Sequence, residues 1–223
     1  MRARRGKVVG WLGVATYAAT LVLTLVTTAD GELQPGDRPD DGTAAAAFVA
    51  AWERSRAATF VRSGTFERRS EVTGAVIASE DVLAQRPPRR LHRQLGGVEG
   101  RDDDRLVLCP APPPDTPAAE CRLGRPGGPT YAEDVAAELA GLRALFEGPD
   151  PLYAVARADG TGYFELVQLR GDPRAPFGTR ARFCFDPATG APTASRVDYG
   201  RGIVEVVAVA EIRAEASDDD LQP

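Results

Sequence analysis

RARFCFDPATGAPTASRVDY, residues 180–199, reads as a strand, a tight turn and a second strand. Ala181, Phe183 and Phe185 alternate with Arg180, Arg182 and Cys184, so an extended chain carries the apolar residues on one face. DPATG has turn chemistry, with Pro187 fixing φ and Gly190 free to take φ > 0. Such a hairpin has a place in a half-covered antiparallel sheet. The flanking segments supply more strands and something to cover them.

Upstream, LYAVARADGTGYFELVQL places the turn ADGTG between two β-rich runs, a hairpin signal. Downstream, GIVEVVAVAEIRAE offers Val204, Val206, Ala208, Ala210 and Ile212 as one continuous apolar face. Nearer the N-terminus, ATFVRSGTFERRSEV puts Phe60 and Phe66 on one face of a strand. In the following VIASEDVLAQR, residues Val76, Ala78, Glu80, Val82 and Ala84 share a parity, and Pro87 and Pro88 stop the ladder. LHRQL is the next strand, GGVEGRDDDRLVLCP reads as a turn into another, and the Pro-rich residues 110–120 read as a surface loop. The acidic run Asp102–Asp104 lacks EF-hand spacing and reads as a solvated turn.

Two stretches have helical periodicity. In TAAAAFVAAWERSR, Ala45, Phe48, Val49 and Trp52 fall on one face, with Thr43 or Asp41 as the cap. In PTYAEDVAAELAGLRALFEGPDP, Thr130 and Glu133 form a capping box, and Tyr131, Val135, Leu139, Leu142 and Phe146 form an apolar stripe that ends at Gly148 and Pro149. An apolar stripe must be buried, and the strands on either side are its partner. The fold class is α+β: a long antiparallel sheet with helices packed on one face.

The first 28 residues differ from the rest. Residues 8–28, VVGWLGVATYAATLVLTLVTT, carry no charge. As a helix they would span about 31 Å, close to the roughly 30 Å of a bilayer core. Arg2, Arg4, Arg5 and Lys7 precede them, so the positive-inside rule puts residues 1–7 in the cytoplasm and the remainder outside. The rival reading is a signal peptide cleaved before Asp30, but the apolar run exceeds the roughly 7–15 residues of a signal h-region. The expected organisation is a cytoplasmic tail (1–7), a transmembrane signal-anchor helix (8–28), a flexible linker rich in Gly, Pro and Asp (29–42) and one extracytoplasmic domain (43–223).

Charge and chemistry narrow the function. The formal charge is −5, and removing the four N-terminal positive charges leaves −9 on the rest. An acidic body argues against nucleic acid as a partner. There is no G-x-S-x-G, P-loop, H-E-x-x-H or G-x-G-x-x-G. The only histidine, His92, sits among arginines in RRLHRQ and reads as a surface strand residue. A Cys184–His92 nucleophilic pair has no evident orienting third group, and a zinc site would need more His or Cys. No catalytic residue, metal or cofactor is expected. Outside the cytoplasm disulfides are permitted. Of three possible pairings, the expected one joins Cys109 to Cys121 across the Pro-rich loop and leaves Cys184 as a free strand thiol.

WERSRAATFVRSGTFERR and FCFDPATGAPTASRVDYG, set among a post-export helix, serial hairpins and an inserted amphipathic helix, resemble the LolA/LolB-like half-barrel superfamily. That group includes lipoprotein carriers, RseB-type sigma-factor regulators and LppX/LprG-type lipid-binding lipoproteins. The resemblance implies a curved antiparallel sheet with helices on its concave face and an apolar cavity for acyl chains between them. The chain lacks the lipobox cysteine of the lipoproteins and carries the apparent anchor instead, which disfavours a shuttling role. The implied partner is a lipid or lipidated ligand, with Trp52, Phe60, Phe66, Leu139, Leu142, Phe183 and Phe185 as candidate cavity lining. Ala78, Ala84, Ala208 and Ala210 are candidate small residues facing the helices, where they leave room. The alternative is a regulatory module that binds a membrane or envelope protein.

Overall fold

The structure, a computed structural model, describes residues 42–112, 121–157 and 162–223. Residues 1–41 lie outside that range, and with them the expected tail, membrane anchor and nearly all of the linker. So do most of the Pro-rich loop and of the ADGTG turn. Among the described residues, no helix is long and apolar enough to cross a membrane.

Helix α1 (Thr43–Ala57) is followed by strands β1 (Phe60–Ser70), β2 (Val76–Arg86), β3 (Arg89–Gln94), β4 (Gly97–Asp102), β5 (Arg105–Cys109) and β6 (Arg122–Leu123). Then come helix α2 (Tyr131–Phe146) and strands β7 (Tyr153–Arg157), β8 (Tyr163–Gln168), β9 (Arg180–Phe185), β10 (Pro192–Asp198) and β11 (Ile203–Arg213). Among the described residues the eleven strands form one open sheet in the order β6-β5-β4-β3-β2-β1-β11-β10-β9-β8-β7, each pair antiparallel. The first and last strands meet in the middle, while β6 and β7, consecutive in the chain, are the two edges. The chain between them must therefore cross the sheet, and α2 lies on that crossing. Both helices bury their apolar residues against the face that carries Tyr153, Val155, Phe164, Leu166, Ala181 and Phe183. An α+β fold with an antiparallel sheet and helices on one face is what the sequence predicts.

The hairpin of residues 180–199 forms as its alternation predicts. Ala181, Phe183 and Phe185 are buried under the helices, and Cys184 points to the other face. The capping box of α2 is present: Glu133 N–H donates to the Thr130 hydroxyl at 3.3 Å, and Thr130 N–H donates to the Glu133 carboxylate at 2.8 Å. Cys109 and Cys121 are disulfide-bonded.

Four expectations are corrected. The N-cap of α1 is Gly42, in the left-handed conformation at φ 66°, and Thr43 is already helical. GVEGRD is not a turn but strand β4; a Cβ at Gly100 would fall on the Arg90 carbonyl, so glycine lets β3 and β4 close up. The continuous apolar face of β11 is broken. Ser63 pairs with Glu211 but Gly64 pairs with Val209, leaving Ala210 as the extra residue of a β-bulge. The bulge flips the parity: Val207, Val209 and Ile212 lie on the helix-bearing face, and Val204, Val206 and Ala208 on the other. A Cβ at Gly64 would fall on the Ala208 carbonyl oxygen, so the bulge requires glycine opposite it. The last correction follows from register. Ala78, Ala84 and Ala208 face away from the helices and Ala210 is the exposed bulge residue, so these small residues leave no room beneath α1 and α2.

Residues beyond β11 form a strap over the outer face of β1–β3. Leu221, 1% exposed, packs with Ala216 on Val61 and Ala84. Arg86 pairs with Asp218 and donates to the Ala216 carbonyl, while Arg89 and Arg93 donate to the carbonyls of Leu221 and Asp220.

Candidate functional site: the helix-bearing face

The face beneath the helices divides into an apolar zone over β7–β9 and a polar zone over β2–β4. In the apolar zone Phe48 of α1 is the hub. Its ring lies 5.4–6.3 Å from those of Trp52, Phe146, Phe164, Phe177, Phe183 and Phe185, mostly in tilted or edge-to-face geometry. Leu139 and Leu142 of α2 close the same cluster, and the Tyr153 hydroxyl anchors Phe177 by accepting its backbone N–H at 3.0 Å. Beside this packed cluster a cavity of about 250 Å³ opens between α1 and strands β8 and β9. Its walls include Ala47, Ala50, Ala51, Phe164 and Phe185, with the exposed Arg54 and Arg157 and the carboxylate of Asp186 beside them. The Arg157 guanidinium lies over the Phe164 ring, 5.9 Å from its centroid.

The polar zone follows from strand register, because residues directly opposite in antiparallel strands share a face. One row across the sheet reads Phe60, Gln85, Arg90, Arg101 and Leu106. The next reads Arg62, Leu83, His92, Glu99 and Leu108, and the third begins Gly64, Asp81 and Gln94. Asp81 is fully buried and accepts from Arg62 Nη1 at 2.6 Å, from Gln94 Nε2 at 3.0 Å, and shares a hydrogen bond with His92 Nε2 at 2.7 Å. Glu99, largely exposed, stands 3.9 Å from His92 Nδ1.

Above these rows sit the C-terminal end of α1 and the N-terminal half of α2. Gln85 donates to the carbonyls of Ser55, Arg56 and Ala58, tying the end of α1 to β2. Glu138 lies 2.8 Å from Arg56 Nε and accepts the Trp52 indole N–H at 3.0 Å. The Tyr131 hydroxyl donates to the Arg56 carbonyl at 2.7 Å, and the Arg56 guanidinium lies over the Tyr131 ring. Arg101 pairs with Asp134 at 3.3 Å and donates to the Pro129 carbonyl at 2.6 Å. The acidic run also has work to do here: Asp103 and Asp104 accept the backbone N–H groups of Tyr131 and Gly127, fixing the approach to α2.

Burial by itself would push Asp81 up, but the hydrogen bond from His92 and the Arg62 charge outweigh it and hold the carboxyl below the usual range. Arg62 is lowered by burial against the opposing pull of Asp81. Arg90 is lowered to about 10, first by burial and then by the charge of Arg56. Its guanidinium has no hydrogen bond or ion pair among the described residues.

Of the residues chosen from sequence, Trp52, Leu139, Leu142, Phe183 and Phe185 meet in the aromatic cluster. Phe60 is buried apart from them, with Leu83 and Ala191, and Phe66 lies farther along β1 on the same face, opposite Val207. Only Phe185 of the seven lines the cavity. His92 is not a surface residue: the Asp81 it bonds is buried, and its own side chain is 18% exposed. It lies on the helix-bearing face of β3, while Cys184 lies on the opposite face of β9, so the two do not meet. Burial pushes the Cys184 thiol up to about 11, away from a reactive thiolate. Sequence reasoning missed the Arg62–Asp81–His92 network. The only signal was an ionisable residue at each of three strand positions that share a face once the register is known.

No protein-family profile matches the chain, and no curated protein matches it in sequence. Solved structures do resemble it. MucB in the Pseudomonas aeruginosa MucA/MucB complex is 14% identical with a TM-score of 0.43, over 81% of this chain and 61% of that one. A second MucB structure is 18% identical with a TM-score of 0.39, over 85% of this chain and 64% of that one. A LolA superfamily protein from Nitrosomonas europaea is 8% identical with a TM-score of 0.34, over 80% of this chain and 97% of that one. The chain thus spans under two thirds of the length of the MucB chains. The architecture described above rests on the strand order and register themselves.

Proposed function

We propose that this chain is a non-catalytic binding module of the cell envelope. In this reading it is held at the membrane by residues 8–28, with residues 1–7 in the cytoplasm and residues 43–223 outside, and it takes a lipid or lipidated ligand on its helix-bearing face. The observation that carries the reading is the cavity between α1 and β8–β9, where three alanines of one helix face oppose Phe164 and Phe185 beside two exposed arginines. Asp186 also lines it, so the walls are mixed, and a concave site where apolar side chains meet a few convergent polar groups is the common form of a ligand pocket. The volume lies just below the usual range of about 300–1,000 Å³, which suits one acyl tail better than a multiply acylated lipid. The arginines would meet an anionic headgroup.

Native mass spectrometry of residues 32–223 purified from an oxidising compartment tests this. The expected result is a co-purified mass in the lipid range, released by organic solvent and lost in Ala50→Trp, which fills the cavity. An apo mass unchanged after incubation with lipid extract counts against the reading.

A second reading, a regulatory module for an envelope protein, is favoured by one surface. Val72, Val76, Ile77, Tyr199 and Ile203 are all more than 40% exposed and gather at the β1–β2 and β10–β11 turns. Contiguous exposed apolar residues mark interaction sites. MucB has been solved with MucA, and a partner of that kind would be sought among membrane proteins encoded beside this chain.

A further inference from the structure

Arg56, Arg62, Arg90 and Arg101 converge where the C-terminal end of α1 and the N-terminal half of α2 meet β1–β4. The acids among them are Asp81, Asp134 and Glu138, and each is already engaged by Arg62, Arg101 and Arg56 respectively. Arg90 is the one of the four without an ion pair among the described residues. It stands directly opposite Arg101 on β4, and like charges across a strand pair are destabilising. The Nε atoms of Arg62 and Arg90 are buried without a hydrogen-bond partner among the described residues. The Arg90 side chain is nonetheless partly exposed. The charge of Glu138 acts on Arg90, but Glu138 is already paired with Arg56, and a buried guanidinium N–H with no acceptor is costly unless something else meets it.

We propose that Arg90, beside Arg101 and Arg62, is the centre of a binding site for a phosphate group, supplied by a lipid headgroup or by a free phosphate ester. The planar fork of arginine matches phosphate oxygens bidentately, and a phosphate supplies the acceptor that Arg90 lacks. Arg90 remains protonated at neutral pH even with its pKa lowered to about 10. The site lies on β3, away from the cavity on β8 and β9, and is independent of the acyl reading.

Thermal unfolding of the full chain in a non-ionic detergent tests the site with inorganic phosphate as the probe. Phosphate at 50 mM, against chloride at equal ionic strength, raises Tm by about 3 °C, since a ligand of the native state stabilises by mass action. Arg90→Met abolishes the rise, Arg90→Lys reduces it, and acetate at the same ionic strength gives less. A second arm assays phosphorus in a chloroform–methanol extract of each variant. Phosphorus lost from Arg90→Met identifies a headgroup as the source, and a phosphate-dependent Tm with no Arg90-dependent phosphorus identifies a free ester. A Tm response equal in wild type and Arg90→Lys, or matched by acetate, overturns the phosphate class. If neither Tm nor extracted phosphorus depends on Arg90, there is no site.

Discussion

Arg62 on β1 and Asp81 on β2 form an ion pair at 2.6 Å in which the carboxylate is fully buried and the guanidinium nearly so. Asp81 is also the acceptor for His92 and Gln94, so one carboxylate ties three strands together beneath the helices. Removing one member of a buried pair leaves the other uncompensated, which costs about 3–5 kcal/mol. Asp81→Asn is expected to lose stability of that order in urea unfolding. A loss under about 1 kcal/mol would show that the network is solvated rather than structural. The pH dependence has a definite sign. The folded-state pKa of Asp81 is depressed, so its contribution is full above the unfolded carboxylate range and is lost as pH falls through the lower folded value. Acid titration of the variant should lack that component.

The carboxy-terminal strap should matter although it adds no strand. Leu221 is buried on Val61 and Ala84, and truncating a buried leucine costs about 2–5 kcal/mol. Leu221→Ala is expected to fall in that range by chemical denaturation. Asp220 is held down at about 2 by the Ser217 hydroxyl and by Arg213. The strap should therefore be secure above pH 4 and loosen as pH drops toward 2, visible as lower protection in residues 214–223 once exchange is divided by the intrinsic rate at each pH. Constant protection across that interval would argue that these contacts do not hold the strap.

Gly64 is a sharper test of the register. Gly64→Ala places a methyl group on the Ala208 carbonyl and must displace β11 or abolish the bulge. A cost of about 3 kcal/mol or more is expected, at the upper end of overpacking penalties. A neutral result would mean that the pairing across Gly64 and Val209 is not the native register.

The disulfide can be counted chemically. Denatured, non-reduced protein should show one reactive thiol, Cys184, and three after reduction. Because the closed loop spans 12 residues, reduction should cost about 3 kcal/mol on the chain-entropy view. Three thiols before reduction in protein from an oxidising compartment would contradict the bond.

Local chemistry in the sequence determined a good deal. Alternation fixed the faces of β9, the capping box and stripe fixed α2, and the spacing of Cys109 and Cys121 around a Pro-rich loop pointed to their bond. These are nearest-neighbour effects, legible because a residue's period and its adjacent caps are written in the chain. Only the tertiary structure decided which strands lie side by side, since register depends on partners distant in sequence. One bulged residue, Ala210, turned the last strand over and moved Ala208 away from the helices. Register also gathered Arg62, Asp81, His92 and Arg90 from three strands into one polar floor. No local rule links those residues. The long-range pairing of β1, β2 and β3 placed a lone histidine against a buried aspartate and left one arginine without an ion pair among the described residues.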